Sequence, residues 1–241
     1  MKPVVLALLA VLALPGDNAH AEWTAAVYTG VSHTFPSDLR VQQSASASAA
    51  TFSAVSWAPH PFSQGAPYYG LRISYFLHRG SRLGGFVEYT HYKMYAETAE
   101  SVAVRGTWNG APLAEFAPLS RRVQGFQVSH GVNMTSFGAE YRWNPTFQRG
   151  RWGAYLGVGA LVYLPHAEGV IDSIDESSNY RYAGAGGQIF GGTAFSICRH
   201  LALVTDGKFD LGSLDVDLNP GTRISTQVRT LHLTGGLTFY F

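Results

Sequence analysis

The chain has 241 residues, of which 14% are charged and 13% aromatic, and its mean hydropathy is +0.01. Soluble domains carry about 25% charged residues, and a bundle of hydrophobic helices would have a far higher mean hydropathy, so the composition favours strands in which apolar and polar residues alternate. The net charge of +1 indicates no nucleic-acid partner, and the single cysteine, Cys198, excludes an intramolecular disulfide.

Residues 1–21 have the features of a secretory signal peptide. Lys2 precedes an apolar run over residues 4–14, and a small-x-small triplet follows at 19–21. A secretory signal peptide has a charged region, an apolar region and a cleavage site in this order. The apolar run is shorter than the ~20 residues that a membrane-spanning helix needs. We therefore expect export, cleavage after the triplet and a mature domain of residues 22–241.

After the signal peptide, apolar and polar residues alternate with the period of two that is typical of β-strands. In residues 200–212, Leu203 and Phe209 share one face, whereas Asp206 and Lys208 share the other. A soluble β-sandwich alternates too, with its charges facing water. The segments are longer than the usual strand of about 5–6 residues and suit the ~9–11 residues of a transmembrane strand. They therefore predict strands that cross a membrane.

Because a sheet in lipid must close so that no edge is left unpaired, the pattern predicts an all-β fold, an eight-stranded antiparallel transmembrane β-barrel with long extracellular loops. The predicted strands are 22–33, 67–77, 83–95, 126–143, 150–165, 180–198, 200–213 and 225–241. The predicted long loops are 34–66, 96–125, 166–179 and 214–224. Short turns on the periplasmic side and long loops outside are typical of outer-membrane barrels.

Three loop features allow more specific expectations. The Ser/Ala-rich stretch 42–50 in the first long loop is of low complexity, and we expect it to be mobile. In the second long loop, Asn109–Gly110 is a turn signal. The basic pair Arg121–Arg122 in the same loop could contact lipopolysaccharide phosphates, since arginine binds phosphate bidentately. A solvated loop charge is the alternative.

The final segment, 231–241, alternates apolar side chains up to the terminal Phe241. We expect this strand to pair with the first one and thereby close the barrel. The pattern also resembles the C-terminal signal of bacterial outer-membrane proteins that the barrel assembly machinery reads. The sequence therefore predicts a monomer in the outer membrane of a Gram-negative cell.

Charged side chains of both signs fall on inward-facing positions of the predicted strands. They are Arg72, Glu88, Glu140, Arg142, Asp206 and Lys208. Side chains fill the interior of an eight-stranded barrel, and buried charges persist only when they are paired and hydrogen-bonded. We expect a structural network of ion pairs and no pore; a proton or ion path is the alternative.

Histidines near the outer ends of three consecutive predicted strands form the candidate site, each with a polar residue close behind it. These residues are His91 with Lys93, His130 with Asn133, and His166 with Glu168. Histidine and carboxylate side chains are usual ligands of iron and copper, and histidine is the natural acid or base near neutral pH. Parity along the strands places His91, Lys93 and His166 outward and His130 inward. Ordinary rim residues are the alternative.

Five stretches of this chain resemble the small outer-membrane barrels known as lipid A oxidases. They are PYYGLR (67–72), EYTHYKMYAET (88–98), VSHGVNMTSFGAEYRW (128–143), YLGVGALVYLPHAE (155–168) and YRYAG (180–184). The likeness covers most strands after residue 67, and SHGVN and LPHAE are its specific part. It implies an oxygen-dependent oxidation of the proximal glucosamine of lipid A, within lipopolysaccharide, to 2-aminogluconate. Molecular oxygen is then the co-substrate.

The resemblance does not identify the catalytic residues, so their roles are our hypothesis from the sequence. The candidate catalytic residues are His91, Lys93, His130 and Asn133, and the candidate ligands of a divalent transition metal are His130, His166 and Glu168. Of these, His91 would act as a base, and Lys93 would hold a phosphate.

Two other functional classes stay open. One is a non-enzymatic OmpA-like surface barrel that serves envelope integrity or adhesion, because the fold hosts both enzymes and binding proteins. The other is a lipid A deacylase or acyltransferase, which is disfavoured because the sequence shows no evident serine–histidine constellation.

Overall fold

A computed structural model describes residues 21–59, 68–78, 80–143, 151–219 and 221–241. The predicted signal peptide falls on residues that are not described, apart from Ala21, and stays a prediction. No helix in the described part of the chain is long and apolar enough to cross a membrane.

Seventeen strands and one short 3₁₀ helix make up the described chain. The strands are β1 (Glu22–Thr34), β2 (Ser37–Gln43), β3 (Ser48–Val55), β4 (Trp57–Pro59), β5 (Tyr69–Phe76), β6 (Leu83–His91), β7 (Met94–Ala96), β8 (Ser101–Trp108), β9 (Ala111–Pro118), β10 (Val123–Val128), β11 (Met134–Arg142), β12 (Trp152–Tyr163), β13 (Glu168–Ile171), β14 (Ile174–Ser177), β15 (Ala185–Cys198), β16 (Leu201–Leu218) and β17 (Thr222–Tyr240). The 3₁₀ helix spans Leu119–Arg121.

Eight of these strands form the predicted closed antiparallel barrel. Their order around the barrel is β1, β5, β6, β11, β12, β15, β16 and β17, and β17 pairs back with β1. That closing pair runs from Thr24 opposite Tyr240 to Thr34 opposite Thr230. The prediction of an all-β, eight-stranded barrel is therefore confirmed.

The outer wall of the barrel is apolar, as a lipid-facing surface requires. Large apolar side chains stay exposed at alternate positions, among them Val27, Val31, Val87, Phe137, Val158, Leu203 and Leu233. Exposed tryptophans, Trp143 and Trp152, lie at the end with short turns, and the exposed Tyr69 lies at the opposite end. The aromatic side chains thus lie at both borders of the apolar band, where the interfacial girdles of membrane barrels are found.

The long loops are largely built of strands above the barrel. β2 pairs with the upper part of β17, and β3, β8 and β9 continue this sheet outward. The stretch 42–50, expected to be mobile, is instead part of the β2–β3 hairpin, where Gln43 donates a hydrogen bond to Thr222 at 2.9 Å. Pairing of β2 with β17 thus gives this stretch of low complexity a regular strand structure.

A second sheet of five strands lies beside this extension, in the order β14, β13, β10, β7 and β4. The predicted strand 126–143 is therefore two strands, since β10 belongs to the second sheet and β11 to the barrel. The two sheets enclose an apolar core above the barrel. It includes Leu39, Phe52, Trp57, Met94, Phe126, Val128 and Tyr163.

Two other loop predictions can be compared with the structure. Asn109 and Gly110 form the two-residue turn between β8 and β9, and both have the positive φ that a type I′ turn requires, 52° and 75°. Arg121 and Arg122 each lie near Glu115, with N–O distances of 3.0 and 3.7 Å. Glu115 therefore already neutralises part of the positive charge of this basic pair.

All six charged residues predicted to face inward are buried in the barrel interior. Nζ of Lys208 lies 2.8 Å from Oε2 of Glu88. Arg72 bridges Glu88 at 3.4 Å and Asp206 at 3.0 Å. The charges therefore neutralise one another, as a low-dielectric interior requires.

The network continues toward the end of the barrel with short turns. Arg142 forms two hydrogen bonds to Glu22, at 3.1 and 2.8 Å, and its guanidinium lies 3.7 Å from the centre of the Phe76 ring. The hydroxyl of Ser74 donates to Glu140 at 2.8 Å. Glu22 was not among the predicted interior residues, because it directly follows the expected cleavage site and its partner Arg142 is 120 residues away in the sequence.

Replacing Glu88 with leucine should destabilise the barrel. The change leaves the Lys208 ammonium buried without its carboxylate partner, and breaking a buried ion pair in this way costs about 3–5 kcal/mol. We expect the temperature at which the folded gel band converts to the unfolded band to fall by at least about 5 °C. The matched control is Val87→Leu, on the neighbouring lipid-facing position. Conversion of Glu88→Leu at the wild-type temperature would refute a structural role for the pair.

Candidate functional site

The three predicted metal ligands meet above the barrel at its outer rim. His130 lies in the turn between β10 and β11, His166 lies between β12 and β13, and Glu168 is the first residue of β13. Pairing of β10 with β13 places Gln127 opposite Glu168. The SHGVN and LPHAE stretches are therefore brought together by the second sheet, not by the barrel.

The distances within this cluster suit a shared metal ion. Oε1 of Glu168 lies 3.6 Å from Nδ1 of His130 and 3.6 Å from Nε2 of His166. One ligand atom from each of the three residues lies within 4.8 Å of the others. Two ligands bound at about 2.1 Å to one metal lie about 3.0–3.4 Å apart. A small inward movement of the side chains would complete the coordination.

Two hydrogen bonds hold the Glu168 carboxylate in place. The Ser129 hydroxyl donates to Oε2 at 2.6 Å, and Nε2 of Gln127 donates to the same oxygen at 2.8 Å. This leaves Oε1 directed toward the two histidines. The bond from Ser129 lowers the pKa of the Glu168 carboxyl, with smaller contributions from Gln127 and the histidines. The carboxylate is thus kept in the ionised form that metal binding requires.

The chemistry of the donor set narrows the choice of metal. Two histidines and one carboxylate that leave further positions open are the ligands of non-haem Fe(II) oxygenases. His130 is 57% exposed and Glu168 is 34% exposed, so the cluster is open to solvent and to a substrate. The residues present therefore fit a divalent transition metal.

Two other predicted site residues, His91 and Asn133, form a second group on the outer wall. The side-chain oxygen of Asn133 accepts hydrogen bonds from Nδ1 of His91 at 2.9 Å and from the Tyr89 hydroxyl at 2.6 Å. The Tyr69 ring stacks on His91, with 4.7 Å between the ring centres. His91 is only 6% exposed. The burial of His91 and its hydrogen bond to Asn133 indicate that His91 holds the Asn133 side chain in place.

Asn133 connects this group to the turn that carries His130. Its side-chain amide donates to the carbonyl oxygens of His130 and Gly131, at 3.2 and 3.1 Å. Gly131 has a φ of 95°, and a Cβ atom there would lie 2.2 Å from the His91 ring. Glycine is therefore required for the close approach of the turn to His91.

The structure also shows where sequence reasoning about this region was wrong or incomplete. His130 does not face the barrel interior, because the turn after β10 interrupts the strand along which parity was counted. Lys93 is half-buried between β6 and β7, and within the described residues it forms no ion pair. Gln127 and Ser129 were missed, since only the pairing of β10 with β13 brings them to Glu168.

No protein-family profile matches the chain, and no curated protein sequence matches it significantly. Among solved structures, the outer membrane protein OprG from Pseudomonas aeruginosa has a TM-score of 0.50 and 10% identity, covering 92% of this chain and 96% of OprG. Neisserial surface protein A has a TM-score of 0.43 and 15% identity, covering 92% of this chain and 99% of its own.

Ail from Yersinia pestis has a TM-score of 0.36 and 14% identity, covering 90% of this chain and 98% of Ail. At such identities a structural likeness shows the fold alone. The shared fold is inferred from the match to OprG. The fold is that of outer-membrane β-barrels. Together with the apolar outer wall, it confirms the predicted location in the outer membrane.

If the cluster binds a metal, Co(II) should bind the folded barrel in detergent, and His166→Ala should abolish this binding. Gln127→Ala should weaken the affinity by about 10–100-fold, the usual effect of removing a group that orients a ligand. Titration calorimetry and the visible absorption of bound Co(II) would measure both effects.

His33→Ala is the matched control, since His33 is also an exposed histidine near the outer end of a barrel strand. Equal Co(II) affinity in the wild type and in His166→Ala would exclude this cluster as the metal site.

Proposed function

We propose that this protein is an outer-membrane enzyme that oxidises the proximal glucosamine of lipid A to 2-aminogluconate, with molecular oxygen as co-substrate. A divalent transition metal would be held by His130, His166 and Glu168. The observation that carries the proposal is this set of two histidines and one carboxylate at the outer rim of a lipid-facing wall. The resemblance of SHGVN and LPHAE to lipid A oxidases supports the same substrate.

The position of the cluster suits a lipid substrate. Acyl chains of lipid A in the outer leaflet would lie against the apolar wall, and its sugars would stand at the level of the rim. The His166 ring lies 5.2 Å from the ring of Tyr180, an exposed tyrosine of the kind found at membrane interfaces. Binding of the acyl chains would thus bring the glucosamine to the cluster, which is catalysis by proximity.

The proposed reaction balances with oxygen as the only oxidant. A glucosamine with a free C1 hydroxyl loses two electrons and two protons from C1 and that hydroxyl, which gives a lactone. Oxygen accepts both electrons and both protons and leaves as hydrogen peroxide. Water then opens the lactone to 2-aminogluconate, so the product gains one oxygen atom overall.

The residues of this chain have separate tasks in that reaction. A bound transition metal would supply the Lewis acidity and the redox chemistry at the reacting carbon. Glu168 remains ionised because Ser129 and Gln127 hydrogen-bond to it. Asn133 fixes the turn of His130, and His91, covered by Tyr69, holds Asn133 in place.

Lys93, at the outer end of the same wall, supplies a cation that can bind a phosphate of the substrate as a point charge.

The geometry also favours a second candidate, a lipid A hydrolase. Oγ of Ser129 lies 3.1 Å from Nδ1 of His130, and Glu168 is adjacent, so a serine, a histidine and a carboxylate do meet here. In a catalytic triad, however, the serine hydroxyl gives its proton to the histidine, which the carboxylate orients. Here the hydroxyl of Ser129 donates to Glu168 itself. The hydrolase therefore ranks second.

Mass spectrometry of lipid A tests the proposal. A deletion strain complemented with the wild-type gene should contain lipid A that is heavier by one oxygen atom, and the strain carrying His166→Ala should lack it while its barrel keeps the folded gel mobility. His33→Ala should behave as the wild type. Loss of an acyl chain would establish the hydrolase instead. Unchanged lipid A in the wild-type strain would favour a non-enzymatic surface barrel.

A further inference from the structure

Tyrosine side chains collect on the outer wall of the barrel beside the metal cluster. Tyr69 at the start of β5 and Tyr180 between β14 and β15 are 43% and 59% exposed. Tyr89 on β6 is half-buried, and its ring centre lies 6.3 Å from that of Tyr69. We call these three residues the tyrosine patch.

Contacts with neighbouring side chains hold the patch in a fixed arrangement. The Tyr69 ring stacks on His91, with an angle of 16° between the two ring planes. The Tyr89 hydroxyl donates a hydrogen bond to Asn133 at 2.6 Å, and Asn133 in turn binds the carbonyl of His130. A surface that is already ordered loses little side-chain entropy when a ligand binds to it. The patch is therefore suited to binding.

Tyr180 connects the patch to the metal cluster. Its ring centre lies 5.2 Å from that of His166. Partial burial raises the pKa of the Tyr180 phenol, and the nearby Tyr69 phenol and Glu168 carboxylate add to this effect. The phenol is thus neutral and can donate a hydrogen bond. A ligand on the patch would lie within reach of the cluster.

The aromatic residues at the outer end of the wall differ between the two sides of the barrel. On the side of β1 and β16, Phe35 packs near Phe209, with 6.5 Å between the ring centres. These rings carry no hydroxyl group, whereas all three rings of the tyrosine patch do. An aromatic band that only anchors the barrel at the membrane border would serve equally on every side. The phenols beside the cluster therefore indicate a ligand with polar groups.

The position of the patch limits this ligand to a membrane lipid. Further down the wall, Val87 and Phe137 form a pair across β6 and β11, and both are exposed toward the acyl chains of the outer leaflet. The patch is therefore level with the first sugar of a glycolipid and with the carbonyl groups that join its acyl chains. The apolar face of a sugar can pack on an aromatic ring, and acyl carbonyls accept hydrogen bonds from phenols.

We propose that the tyrosine patch is a recognition site for the acylated sugar of a membrane glycolipid. The sugar ring packs on Tyr69 and Tyr180, and the phenols donate hydrogen bonds to the carbonyls of its ester-linked or amide-linked acyl chains. The inference rests on the proposed function in one respect, since it places this sugar beside His166. It deepens that function by naming the residues that select a glycolipid over a phospholipid.

Binding of two lipids to the folded barrel tests the patch without any need for oxidation. The probes are purified hexa-acylated lipid A and phosphatidylglycerol, an anionic lipid without a sugar. Each is added to the barrel in detergent micelles, and native mass spectrometry measures the bound fraction. We expect Tyr69→Leu and Tyr180→Leu each to lower the affinity for lipid A by about 3–10-fold, because an aromatic contact is lost. Binding of phosphatidylglycerol should not change.

Two further variants separate the ring from its hydroxyl and the patch from the rest of the aromatic band. Tyr180→Phe keeps the ring and should lose less affinity for lipid A than Tyr180→Leu. Phe35 is 38% exposed on the other side of the barrel, and Phe35→Leu should bind both lipids like the wild type. The gel mobility of each variant shows that its barrel is folded.

The outcomes separate this inference from the proposed function. If lipid A binding depends on Tyr69 and Tyr180 as expected but lipid A is never oxidised, the patch stands and the oxidase proposal fails. If lipid A is oxidised while both leucine variants bind it like the wild type, the inference about the patch is overturned. An equal loss of affinity for both lipids would also overturn it, because the patch would then be a general part of the membrane border.

Discussion

A lipid bilayer offers the peptide backbone no hydrogen-bonding partner, and this constraint determines the architecture below the rim. The pairing of β17 with β1 satisfies it by leaving the sheet without an edge. Closure around only eight strands has a second consequence, because the interior is too narrow to hold bulk water and is filled by side chains. The charges of that interior must therefore neutralise one another, as Arg72, Glu88 and Lys208 do.

The barrel places the candidate site at the outer rim, whereas the second sheet brings the residues of the site together. The pairing of β10 with β13 places Gln127 opposite Glu168 and brings the turn of His130 close to His166. The apolar core above the barrel holds this sheet in place through residues such as Phe126 and Met94. Glu168 thus stands on a packed strand, and the short segments that carry His130 and His166 connect strands of this sheet to strands of the barrel, which is a more rigid support than long irregular loops would provide.

The two oxygens of Glu168 have different partners. Oε2 is occupied by hydrogen bonds from Ser129 and Gln127, so Oε1 is left to face the histidines. The same carboxylate also lines an open groove on the second sheet, together with Tyr95 and Asp175. A single residue therefore links the proposed metal centre to this groove.

The sequence by itself determined the barrel, because alternation of apolar and polar residues is a local property with the period of the strand. The inward positions of residues such as Arg72 and Asp206 follow from that period, the strand number follows from the count of alternating segments, and closure follows from the need for a sheet in lipid to have no unpaired edge. Position near the outer ends of consecutive predicted strands was also enough to select His130, His166 and Glu168 as candidates.

Only the tertiary structure decided how these candidates lie relative to one another. Parity failed for His130 because a turn at Gly131 separates two sheets within one predicted strand, and no period runs across it. Gln127 and Tyr95 belong to no motif. Strand pairs between distant segments place Gln127 opposite Glu168 and Tyr95 opposite Gln127. Such long-range pairing depends on the whole upper core, so local sequence patterns cannot encode it.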